Sequence, residues 1–173
     1  MKHLNVIKSL LALSIIGILA ACSSENAVVR NINVSDVITS DCKTSLSKED
    51  TRPEYYNDIY SKKTTLKMLM GNDNTISAQF LDVLDNCEIG QFHVEASCHD
   101  NTIVIILYPE QDMVTSCICE YDVDFKIKDL LPGNYQIEVY HTNSTKKTNE
   151  SDRIYQGSVT LESNKSITLT MDR

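Results

Sequence analysis

The 173-residue sequence predicts an all-β domain built as an antiparallel β-sandwich, and three observations carry that expectation. Short stretches in which apolar and polar residues alternate recur at even spacing from Thr64 onward, which is the period of half-buried strands. Turn residues separate them at Gly71-Asn72-Asp73-Asn74, His99-Asp100-Asn101, Pro132-Gly133 and Ser163-Asn164. Between these turns no stretch holds the 3.6-residue period of a convincing helix. About eight short strands of this kind bury their apolar faces by packing sheet on sheet.

The elements follow in order. Leu66, Met68 and Met70 alternate with Lys67 and Leu69, and after the Gly71–Asn74 turn Ile76, Ala78, Phe80 and Leu84 mark a second strand. Phe92, Val94 and Ala96 alternate with His93, Glu95 and Ser97. Ile103–Tyr108 is continuously apolar and suits a central strand. Tyr121, Val123, Phe125 and Ile127 alternate with Asp122, Asp124, Lys126 and Lys128, a half-buried strand with a charged outer face. Tyr135, Ile137, Val139 and His141 come next, then a polar loop to Asp152, then a last hairpin of Ile154–Leu161 and Ser166–Met171. Even spacing of this kind is that of immunoglobulin- or transthyretin-like sandwiches. Leu131-Pro132-Gly133-Asn134-Tyr135 also resembles the L-x-P-G-x-Y turn of prealbumin-like domains, which implies a fold and no activity.

The first 22 residues read differently. Lys2 and Lys8 precede an apolar run, Leu10–Leu19, that is too short to cross about 30 Å of hydrocarbon as a permanent helix. The run ends at Leu19-Ala20-Ala21-Cys22, which resembles the lipobox of bacterial lipoproteins. The resemblance implies cleavage before Cys22, acylation of its sulfur and attachment to a lipid bilayer. Ser23 after that cysteine implies the outer membrane of the cell envelope. The expected division is therefore a cleaved signal peptide at 1–21, a lipidated Cys22 with a polar tether over 22–63, and a β-sandwich over 64–173. Within the tether, Val34–Ile38 and Pro53–Tyr60 are candidates for order, and Tyr55, Tyr56 and Tyr60 are candidate stacking residues for a sugar or peptide.

Charge narrows the partners. The chain carries 16 Lys+Arg against 24 Asp+Glu, a net charge of −8. Loss of Lys2 and Lys8 with the leader makes it −10. No Lys/Arg cluster is present, so a nucleic acid is not an expected partner. Five Gly and three Pro exclude a collagen-like fibre.

Six cysteines are present, and five remain once Cys22 is lipidated: Cys42, Cys87, Cys98, Cys117 and Cys119. An oxidising envelope pairs such thiols. The strand order puts Cys87 at the same end as the loop that leads to Cys117 and Cys119, with Cys98 roughly 23 Å away along its own strand. A bridge needs Cα atoms within about 7 Å, so Cys87 is expected to bond Cys117 or Cys119, with Cys98 outside that cluster. The alternative is a metal-binding lipoprotein with Cys87, Cys117 and Cys119 as thiolate ligands and His93 or His99 as a fourth.

The stretch from Leu66 to Tyr140 resembles a group of uncharacterised bacterial lipoproteins. It carries Asn86-Cys87, Asn101-Thr102-Ile103-Val104-Ile105, Cys117-Ile118-Cys119-Glu120-Tyr121-Asp122 and Gly133-Asn134-Tyr135. In that group a second cysteine often follows the first, whereas Glu88 stands here. By that resemblance one C-x-C cysteine lacks its usual partner, which turns attention to Cys42 or to a free thiol.

Enzyme signatures are missing: no G-x-S-x-G, no H-E-x-x-H and no Gly-rich phosphate loop. Glu120, Asp122 and Asp124 form a carboxylate row whose ordinary role is a solvated strand face rather than a calcium site. The expected role is non-catalytic, without cofactor or metal: binding of a protein or glycan, or structural support of an envelope assembly.

Overall fold

The computed structural model describes residues 32–43, 45–47, 62–112 and 115–172. The leader, Cys22 and the tyrosines of 53–60 lie outside the described residues. Among the described residues there are ten strands: β1 (Asn33–Thr39), β2 (Ser45–Ser47), β3 (Thr65–Met70), β4 (Ile76–Asn86), β5 (Phe92–His99), β6 (Thr102–Pro109), β7 (Cys117–Lys128), β8 (Gly133–His141), β9 (Arg153–Leu161) and β10 (Ser166–Thr170). One sheet runs β1-β7-β4-β3-β10, with β2 also paired to β7, and the other runs β5-β6-β8-β9.

Alternation does what it should. Leu66, Met68, Ile76, Phe80, Val123, Phe125 and Ile127 of the first sheet face Val94, Ile103, Ile105, Leu107, Ile137 and Val139 of the second in one continuous core. Phe80 stacks on Phe125 at 5.5 Å between ring centres, and Phe92 meets Tyr121 edge-on at 5.6 Å. Such aromatic pairs add about 0.5–1.5 kcal/mol beyond their burial. The all-β sandwich is thus the fold of this chain.

Four details depart from the sequence expectation, each for a physical reason. The first is the domain boundary at 64. β1 pairs with β7 from Asn33↔Lys128 to Thr39↔Val123, so part of the expected tether is a strand of the first sheet. Its alternation is hidden by a bulge between Ser35 and Ile38, where Asp36 takes φ 56° and the inward parity slips by one residue. The second is in β4, where a bulge between Phe80 and Val83 turns Val83 rather than Leu84 into the core.

The third is the expected terminal hairpin. β9 pairs with β8 and β10 pairs with β3, so the turn at Ser163-Asn164 passes from one sheet to the other. Asn164, at φ 60°, donates its backbone N–H to the Met70 carbonyl at 2.7 Å, docking the turn on the end of β3. Alternation fixes which side of a strand is inward, but it says nothing about which neighbour the strand finds. The fourth is the pair β6 and β8, which is parallel. β7, between them in sequence, belongs to the opposite sheet, so the chain leaves and returns in the original direction.

Turn chemistry accounts for a low glycine count. Among the described residues, eight non-glycine residues take positive φ, and all but Lys146 are Asp or Asn, whose short side chains tolerate that conformation. Gly90 is different. It sits at φ 73° where the chain crosses from β4 to β5, and a Cβ there would come within 2.5 Å of Glu110.

The L-x-P-G-x-Y segment also finds its reason. The Tyr135 hydroxyl donates to the Leu131 carbonyl at 2.9 Å, closing the corner that leads into β8.

Candidate functional site

Four cysteines meet at one end of the first sheet. β4 and β7 pair as far as Asn86↔Ile118, and one step further the Cys87 N–H donates to the Cys117 carbonyl at 3.2 Å. That direct cross-strand pair is bridged, with Cα atoms 5.5 Å apart. Cys119 lies two residues along β7, on the same face, and is bridged to Cys42 with Cα atoms 5.4 Å apart. Both separations are ordinary for a disulfide. Cys98 sits buried in β5 of the other sheet and takes part in neither bridge.

Local hydrogen bonds hold the end together. Asn86 is gripped from two sides: the Tyr121 hydroxyl donates to its carbonyl at 2.9 Å, and the Thr115 backbone N–H donates to its side-chain Oδ1. The Thr115 hydroxyl in turn donates to the Cys117 carbonyl at 3.0 Å. Burial raises the Tyr121 phenol above its ordinary value, and the negative Asp85 adds to the shift. Asp85 itself contacts His141 Nε2 at 3.1 Å, linking β4 to the end of β8 across the sandwich.

Beside the bridges lies a charged cluster on the outer face. The β4 bulge places Asp82, at φ 57°, so that its N–H donates to Asp122 Oδ1 at 3.1 Å. Lys43, next to Cys42, spans both carboxylates, with Nζ 2.7 Å from Asp82 and 2.6 Å from Asp122. Burial pulls the Lys43 ammonium down, but its two carboxylate partners outweigh that and raise it. Glu120 is only 2% exposed; its Oε2 faces Lys62 at 3.4 Å, while its Oε1 has no hydrogen-bond partner among the described residues.

The carboxylate row of β7 is therefore divided. Asp122 takes Lys43, Glu120 takes Lys62, and Asp124 stays exposed. Calcium would need these oxygens to converge on one point. Of the histidines weighed as metal ligands, His93 stacks on Tyr108 at 5.4 Å and His99 pairs with Asp100 at 2.9 Å. Among the described residues, the metal-capable side chains that do converge are Cys42, Cys87 and Cys119, whose sulfurs all lie within 4.8 Å of one another.

Sequence reasoning left the partner of Cys87 open between Cys117 and Cys119, and the structure has Cys117. Cys42 entered only through the resemblance, where Glu88 replaces a cysteine, and there as an alternative to a free thiol; the structure bonds it to Cys119. Lys43 and the burial of Glu120 carried no signal, because both depend on where a bulge and an N-terminal strand lie.

No curated protein and no solved structure matches this chain. Residues 116–171, from just before the C-x-C to just beyond β10, match the model for a Domain of unknown function (DUF8447), a stretch that contains one half of each bridge.

Proposed function

We infer that the chain is a lipid-anchored, non-catalytic domain of the cell envelope that binds a protein or glycan or supports an assembly there. The observation that carries the reading is the run Leu10–Leu19 closed by Leu19-Ala20-Ala21-Cys22. Two disulfides support it, since such bonds persist in oxidising compartments. Nine residues lie between Cys22 and Ile32, so covalent geometry alone keeps the start of the described domain within about 35 Å of the anchor. The tether is then much shorter than the 22–63 span suggested, and the domain works close to the bilayer. Its net charge of −10 after cleavage keeps it from lying down on an anionic surface.

Metabolic labelling with a palmitate analogue and detergent partitioning test the reading. The intact chain is expected to take up label and enter the detergent phase, and Cys22→Ala is expected to lose both. Equal partitioning of the two would end this reading.

A second reading, a soft-metal lipoprotein, is favoured by the convergence of the Cys42, Cys87 and Cys119 sulfurs. It requires both bridges reduced, because the ligand is a thiolate. Stoichiometric zinc in the purified chain together with titratable thiols would replace the first chemistry by the second.

A further inference from the structure

The sulfurs of the two bridges adjoin one another. Those of Cys42 and Cys119, bonded to each other, and that of Cys87, bonded to Cys117, all lie within 4.8 Å of one another. Cys87 faces Cys117 directly across the ladder, and Cys119 is the diagonal neighbour on the same face. We propose that Cys42, Cys87, Cys117 and Cys119 form one exchangeable set, in which Cys42 is the entry point for an external low-molecular-weight thiol.

Exposure sets the order of events. Cys42 is exposed while its partner Cys119 is 1% exposed, so an incoming thiolate reaches the Cys42 sulfur first. Thiolate attack on a disulfide sulfur proceeds through a mixed disulfide. The external sulfur bonds Cys42 Sγ, the Cys42–Cys119 bond breaks, and its electron pair leaves on Cys119 as a thiolate. Cys119 then attacks Cys87 Sγ beside it; the Cys87–Cys119 bond forms, the Cys87–Cys117 bond breaks, and Cys117 leaves as a thiolate that takes a proton from water. The number of disulfides is unchanged, and nothing is oxidised or reduced overall. The product carries the external thiol on Cys42, with the N-terminal segment released from β7's sulfur.

This makes Cys42 a modification site whose ligand class is a small thiol, and the second bridge the element that accepts the displaced sulfur. It also accounts for a C-x-C in which both members face one partner. The exchange belongs to the bridged form and is independent of whether Cys22 is lipidated.

Two experiments on the full chain decide it. In Cys42→Ser, alkylated and mapped without reduction, both Cys87–Cys117 and Cys87–Cys119 peptides are expected. The minor species should be about one molecule in ten or more, as for pairings within a tenfold equilibrium. A single Cys87–Cys117 species with Cys119 fully alkylated would overturn the proposal. The wild-type chain supplies the second arm should that variant not fold. After limiting glutathione and rapid alkylation, glutathione on Cys42 and alkyl label on Cys117 are expected. Label on Cys119 with Cys87–Cys117 intact would overturn it as well.

Discussion

β6 and β7 each sit inside their sheet with neighbours on both sides, β5 and β8 for the one, β1, β2 and β4 for the other. β6 is held by burial. Ile103, Ile105 and Leu107 are at most 2% exposed, and Val104 and Ile106 are half-buried on its outer side. No cysteine or charged residue lies in it. β7 has an equally apolar inner face, but its first four residues carry two disulfides and a buried carboxylate, and both of its neighbouring long strands bulge against it. The contrast separates two ways of specifying a central strand. Continuous apolar sequence suffices where every neighbour comes from well-patterned strands. Covalent and ionic ties take over where a neighbour such as β1 has a broken pattern.

Removing the ties on β7 is expected to have the largest effect. In the loop-closure picture, the Cys42–Cys119 bridge, closing 77 residues, contributes about 4.5 kcal/mol, and Cys87–Cys117, closing 30, about 3.5. Urea unfolding of Cys42→Ala/Cys119→Ala and of Cys87→Ala/Cys117→Ala is expected to show the first variant less stable by about 1 kcal/mol. Equal losses, or the reverse order, would mean that native contacts at this end outweigh the loop entropy.

On β6 the corresponding change is Ile105→Ala, which opens a cavity at a residue with no exposure. Its expected cost is about 3 kcal/mol. If a loss below about 1 kcal/mol were measured in the same denaturation assay, burial would not be what distinguishes β6.

The smallest effect belongs to the ionic tie. Lys43 is raised above the ordinary lysine value by Asp122 and Asp82, so its contribution is fully present below about pH 10.4 and is lost as the pH rises through the folded value. With the Lys43 side chain 32% exposed, Lys43→Met is expected to cost less than about 1 kcal/mol at pH 7. That difference should disappear in strongly alkaline solution. A difference that persists there would assign the loss to packing of the lysine stem rather than to charge.

The same contrast divides what is legible in the sequence from what is not. The inner faces of β3, β5, β7 and β8 were legible because each keeps an unbroken period of two. β1 was not, because the bulge at Asp36 breaks its period. The destination of β10 was not, because Leu169 is satisfied by burial whichever neighbour pairs with it. At the site, the grouping of Cys87 with the C-x-C followed from the direction of successive strands. The bridge from Cys42 did not, since it rests on where β1 and β2 lie along β7. Glu120 has an outward position in the alternation, and its burial depends on what covers that face.

The clasp at Cys42 has a mechanical meaning. Tension entering the domain from its N-terminal side meets β1 first, whose seven residues can peel from β7 one hydrogen bond at a time. Between Ile32 and Cys42 that yields at most about 35 Å of extension. Beyond it the load passes through a sulfur–sulfur bond straight into β7, well inside the sheet. The domain thus has a built-in stop: a short, recoverable give, followed by a covalent limit that protects the core from being unravelled from this end.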